Sequence, residues 1–162
     1  HKVPMLCSGD CAEKLCDTMN AHGMRMHHVP GKAGAASTLK LVRSSFTKGA
    51  EALAVETMLF SKKMGVEEET MRSLAEFYGR MPFDAMLSHY IRGNIIHAGR
   101  RAHEARDCAD LMEDIGIHPV MAKATAERLQ SMADLNLKET LGGVTPATDA
   151  EVYALWESNQ YS

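Results

Sequence analysis

Apolar and polar residues follow two different periods along this chain, and the change falls close to residue 30. Residues 2 to 7, KVPMLC, read as a short strand closed by Ser8 and Gly9. MRMHHV, 24 to 29, alternates in the same way until Pro30 and Gly31 end it. Between them, CAEKLCDTMNAHG sets Ala12, Leu15, Cys16 and Met19 on one helical face. Asp10 is placed to cap the start of that helix, and Gly23 suits a left-handed terminus. Strand, helix, strand amounts to one βαβ unit, which is too little sheet to be stable alone.

From about residue 33 the period becomes 3.6 and stays there. Leu39, Val42, Phe46, Ala50, Leu53, Thr57 and Phe60 step by three or four through one long helix that ends near Gly65. A soluble helix of that length runs through a bundle or across a subunit interface. Glu67 to Thr70 opens a further helix toward Gly79 and Arg80. PFDAMLSHYIRGNII follows, with Pro82 in its first turn, and then HAGRRAHEARDCADLMEDIG, with Ala102, Ala105, Cys108 and Met112 on one side. Another helix starts at Pro119, the glycine-rich LGGVTPATD reads as a loop or hinge, and a last helix, 149 to 158, carries Trp156. The fold class is mainly α: residues 1–30 form a short α/β remnant, and residues 31–162 form a bundle of five or six helices.

Composition narrows the function. The 162 residues are 45% hydrophobic and 24% charged, with a formal net charge of -3, so no general pull toward nucleic acid exists. Apolar runs are far shorter than the roughly 20 residues that cross a bilayer, no signal pattern opens the chain, and the expected compartment is the cytosol. The first residue is His1, and the opening reads like the middle of a fold, so something is expected to precede it. The cysteines at 7, 11, 16 and 108 form no CxxC pair, which points to reduced, mostly buried thiols and no metal. His27 and His28, adjacent on a strand, point to opposite faces and do not chelate. The 12 methionines suit adaptable core and interface packing.

The stretch GKAGAASTLKLVRSSFTKG holds the candidate chemistry. Gly31, Gly34, Ala35, Ala36 and Ser37 leave backbone uncovered at a helix start, where free N–H groups suit a carboxylate or phosphate. Lys40 comes a turn or so later, and burial or a neighbouring cation would let it exchange protons near neutrality. Ser44 lies four residues on, within reach of the same ligand. Close packing of helices and a solvated lysine are the commoner account of the same residues on spacing alone. A second group, His97, Arg100, Arg101 and His103, can bind an anion or pair with Glu104 and Asp107 as a solvated face. Tyr78, Tyr90 and Trp156 are interface candidates, with core packing expected for at least two of them.

This order of elements resembles the second half of the 6-phosphogluconate dehydrogenase-like oxidoreductases, which include the β-hydroxyacid dehydrogenases. That superfamily shows G-x-G-x-x-x-K-x-x-x-N at this junction, and its 6-phosphogluconate members have a further glycine five residues later. Gly34 matches the first glycine, Lys40 the lysine and Gly49 the trailing glycine, whereas Ala36 and Ser44 replace the second glycine and the asparagine. Together with HAGRRAHEARDCADLMEDIGIHPVMAKATAER, these residues are similar to the branch whose C-terminal helical domain was long catalogued as a domain of unknown function.

The resemblance implies a division of labour. NAD or NADP is bound by a Rossmann half with a G-x-G-x-x-G turn, and no such turn occurs in these 162 residues. Residues 1–30 are then the tail of that half, the cofactor-binding residues lie upstream, and the chain alone is expected to be inactive. Residues 31–162 supply substrate binding and a homodimer interface. Lys40 is implied as general acid/base for a hydroxy acid or related carbonyl compound, with Gly34, Ser37 and Ser44 as substrate contacts. The alternative is a non-catalytic helical dimerisation module that lacks a cofactor half.

Overall fold

The computed structural model describes residues 3–159. Lys2, the first residue of the first expected strand, and the outermost residues of both expected domains lie outside the described residues. The chain forms two compact units, His1–Ala52 and Leu53–Ser162, which divide within one long helix.

The first unit contains β1 (Pro4–Cys7), α1 (Ala12–Ala21), β2 (Arg25–His28) and the first turns of α2 (Ala35–Met64). The strands pair in parallel, with Pro4 opposite Arg25 and Cys7 opposite His28, and α1 is the crossover that a parallel pair requires. The helix ends in a Schellman motif. Met24 N–H donates to Met19 O (3.1 Å) and Gly23 N–H to Asn20 O (2.9 Å), with Gly23 at φ 86. The Asn20 amide then plays the part of a missing strand at the edge of β2: its Nδ2 donates to Met26 O (2.9 Å), and its Oδ1 accepts from Met26 N (2.7 Å).

Two expectations for this unit are corrected. Asp10 does not cap α1: the N-cap position is Cys11, no side chain caps it, and the turn is closed by Ala12 N–H donating to Gly9 O (2.9 Å). On the expected apolar face, Ala12 and Cys16 are buried but Leu15 is exposed, since a sheet of two strands is too narrow to cover it.

The second unit contains the rest of α2, then α3 (Glu67–Tyr78), α4 (Phe83–Asp114), α5 (Val120–Ala133), α6 (Leu137–Thr140) and α7 (Asp149–Ser158). Residues 82 to 116, expected as two segments, are spanned by one helix of 32 residues, with Pro82 at its N-cap position rather than inside it. Nothing between Ile96 and His97 can stop a helix: there is no proline, no capping side chain and no left-handed glycine.

Helix α4 is the spine of this unit. Ile95, Ala98, Ala102, Ala109 and Met112 are buried along it at steps of three and four, or seven across Ala105. Small side chains let α5 approach closely, and a Cβ on Gly99 would sit 3.7 Å from Ala133 Cβ. Ile95, Leu137 and Val152 form the core where α4, α6 and α7 meet, with Trp156 packed against it. Full burial of a side chain such as Val152 contributes about 1.5–3 kcal/mol. Thr148 begins α7 with a variant of the capping box: its Oγ1 accepts from Glu151 N (3.3 Å), and Glu151 Oε2 reaches one residue further back to accept from Ala147 N (2.9 Å).

The α5 N-terminus is capped from another helix. Glu56 of α2, only 9% exposed, accepts from Met121 N and Ala122 N, both at 2.8 Å. Its charge sits where the α5 dipole is positive. Cys108 departs from expectation: it is exposed, and Ala109 takes the inward position. Cys11 is also exposed, Cys7 is half-buried and Cys16 is buried, so the thiols are not mostly buried.

Candidate functional site

The Gly/Ala/Ser lead-in to α2 has a local physical cause. Gly31 and Gly34 take φ values of 126 and 100, which side-chain-bearing residues rarely adopt. Ala33 lies against the turn after β1, so close that a Cβ on Gly9 would be 3.7 Å from Ala33 Cα. Ser8 Oγ, on that same turn, accepts from Ala36 N at 3.0 Å, and Ala35 N–H donates to Lys32 O at 3.1 Å. Two of the N–H groups expected to greet a ligand are therefore already engaged. The βαβ unit caps α2 through Ser8, a residue whose role the sequence reading missed. The signal available was a hydroxyl at the end of a strand, which is too common to single out.

Lys40 and Ser44 follow on α2 in this same unit, four residues apart on one helical face. Lys40, Ser37 and Gly34 are exposed, and Ser44 and Gly49 are half-buried. Leu39, Val42 and Phe46, also on α2, are exposed at 45%, 61% and 47%.

A second site stands out in the helical unit. His89, Arg92, His97, Arg100 and Arg101 of α4 surround Gly93 in a cleft of about 350 Å³, closed on one side by Thr145. The expected basic cluster is thus brought together in part and extended toward the helix start. His103 is not in it and lies 3.9 Å from Asp107. His89, Gly93, His97 and Arg101 recur every four residues, a spacing that could have revealed the longer cluster. Burial first, and then a hydrogen bond with the Tyr78 hydroxyl, push the Tyr90 phenol up to about 12, against the opposing pull of Arg101. Of the three large aromatics, Trp156 packs on the core, Tyr90 is half-buried and Tyr78 is exposed.

Among the described residues, no three His, Cys, Asp or Glu side chains group as metal ligands. No helix of the described residues is long and apolar enough to cross a membrane. The α1 N-terminus does not suit a dinucleotide pyrophosphate: its turn, Ser8 to Cys11, has a single glycine, and Asp10 and Glu13 bring negative charge to it.

Comparison with known proteins finds a match within the helical unit. Residues 62–132 match the family model of a domain of unknown function, DUF1932. The match takes in the end of α2, all of α3 and α4, and most of α5. A domain of unknown function at this place in the chain is in line with the branch that the sequence resembles. An uncharacterised 28.5 kDa protein from the 7S RNA 5′ region of Methanothermus fervidus is 32% identical over 125 residues, covering 77% of this chain and 49% of that protein. A conserved hypothetical protein from Sinorhizobium meliloti 1021 aligns at 26% identity and TM-score 0.45, over 98% of this chain and 52% of its own. Conserved protein MTH1747, described as structurally similar to 3-hydroxyacid dehydrogenases, aligns at 28% identity and TM-score 0.47, over 85% of this chain and 52% of its own. The chain spans about half the length of these relatives.

Proposed function

We propose that this chain is the C-terminal substrate-binding and dimerisation part of an NAD(P)-dependent dehydrogenase acting on a hydroxy acid or related carbonyl compound. The observation that carries the reading is the junction of a parallel βαβ unit with α2, where Ser8 fixes the helix start and Lys40 and Ser44 follow on one face. The DUF1932 match, which begins in the last turn of α2, supports it.

In this reading residues 1–30 are the tail of a dinucleotide half and residues 31–162 the substrate half. The nicotinamide cofactor supplies the hydride chemistry when bound, and the chemistry assigned to this chain's own residues is the proton's. Lys40 Nζ takes the proton from the substrate hydroxyl during oxidation and returns it to the carbonyl oxygen during reduction. Ser44 donates a hydrogen bond to the substrate, with Ser37 a further contact, and Gly34 lets the substrate come close to backbone. Substrate and a second subunit supply the burial that tunes the lysine.

The test is Lys40→Ala in the full-length enzyme, assayed with NAD and NADP against a panel of hydroxy acids. Turnover is expected to fall by about two to four orders of magnitude, the usual share of acid–base catalysis, with cofactor affinity kept. Unchanged turnover would remove Lys40 from the reaction.

A further inference from the structure

The cleft on α4 has the construction of an oxyanion site, and none of its residues takes part in the chemistry assigned to Lys40. Its floor is a mid-helix glycine, which gives up roughly 0.5–1 kcal/mol of helix stability relative to alanine. What occupies the space is Arg101. A Cβ on Gly93 would lie 3.4 Å from Arg101 Nη2 and 3.7 Å from Nη1, so the guanidinium folds back two turns along its own helix onto bare backbone. Gly93 is buried and Arg101 half-buried.

The three arginines differ in what they already hold. Arg100 pairs with Glu104. Arg92 Nη1 donates to Ala147 O (2.7 Å), its Nε donates to Ser88 O (3.3 Å), and its Nε lies 3.6 Å from Asp149 Oδ1. Arg101 has no carboxylate partner among the described residues. Its neighbour Tyr90 stays a neutral phenol up to about 12 and gives it no counter-charge. A half-buried guanidinium without an anion, flanked by two further arginines and by His89 and His97, leaves the cleft one negative group short.

The cleft wall is also built in advance. Arg92 ties the loop before α7 to α4 through Ala147, Ser88 Oγ donates to Asp149 Oδ2 (2.6 Å), and the capping box holds the loop's end. Those contacts set Thr145, whose hydroxyl can donate to an anion opposite Arg101. A volume of about 350 Å³ lies at the lower end of small-molecule sites.

We propose that this cleft binds the phosphate or carboxylate group of a small molecule, with Arg101 as the principal ligand and Arg92, Arg100 and Thr145 completing the cradle. The site stands whether or not Lys40 is catalytic.

Calorimetric titration of the full chain at neutral pH and low ionic strength tests it, with inorganic phosphate in one arm and malonate in the other. Saturable one-site binding is expected in at least one arm, and the stronger arm identifies the group. Arg101→Gln should weaken it about tenfold or more, the loss of one charge-assisted fork, and Arg101→Lys should fall between. Lys138→Gln, which removes a positive charge elsewhere on the unit, should leave it unchanged. If circular dichroism shows that Arg101→Gln does not fold, the exposed Arg100→Gln reads the same cleft and should weaken binding several-fold. Heat that never saturates with either anion, or equal affinity in wild type and the folded arginine variants, overturns the proposal.

Discussion

Cys16 shows how one residue's surroundings set its chemistry. It is buried against the two-stranded sheet, and burial first, then the nearby Cys7 thiol, raise its pKa. A thiol reacts as the thiolate, so raising the pKa leaves less of the reactive form at neutral pH. The sign is definite: Cys16 becomes reactive only as pH climbs past the ordinary thiol range of about 8.5. Cys11 and Cys108, both exposed, carry no such steric restriction. Alkylation with iodoacetamide near neutrality, followed by peptide mass mapping, should label Cys11 and Cys108 first and Cys16 last. Denaturant should remove the lag. Early labelling of Cys16 in the native protein would contradict its burial.

At the scale of elements, the least visible contact carries much of the architecture. Glu56 closes the N-terminus of α5 from 65 residues away in sequence by accepting two backbone N–H groups. Hydrogen bonds to a charged group contribute about 1.5–3 kcal/mol. Glu56→Ala should therefore cost about that amount, seen as a lower urea midpoint with an unchanged slope. Glu56→Gln, with only one carbonyl oxygen, should fall between the two. No loss in either variant would mean that water caps α5 equally well. This contact also marks what a sequence can and cannot disclose. The long α2, the Gly65 stop and the α7 helix from 149 to 158 were legible, because periodicity and punctuation are local. Glu56 was not, since a carboxylate on a helix is ordinary until another helix end is brought to it. The unbroken α4 was missed for a related reason. Its change in surface character near residue 97 looks like a boundary, but backbone hydrogen bonding is indifferent to it. At the candidate sites, Lys40 and the arginines were visible as residue types, whereas Ser8, Arg92 and Thr145 join only through tertiary contacts.

At the scale of the whole molecule, the unsatisfied quantity is apolar surface. Leu39, Val42 and Leu53 of α2 are exposed at 45%, 61% and 46%, although their spacing is that of a helix face made for burial. On α3, which has no buried residue, Met71, Leu74 and Phe77 are also exposed. Scattered surface hydrophobics need no explanation, but a run at helical period along one long helix does. The homodimer proposed above accounts for it: a second copy would cover this face. A charge placed there must then be desolvated on association, at a cost far above that of a rim position. Val42→Glu is accordingly expected to shift the protein from dimer to monomer in sedimentation velocity, while circular dichroism stays helical, since Val42 is already exposed within one chain. A wild type that stays monomeric at high concentration would instead leave the face to a different partner.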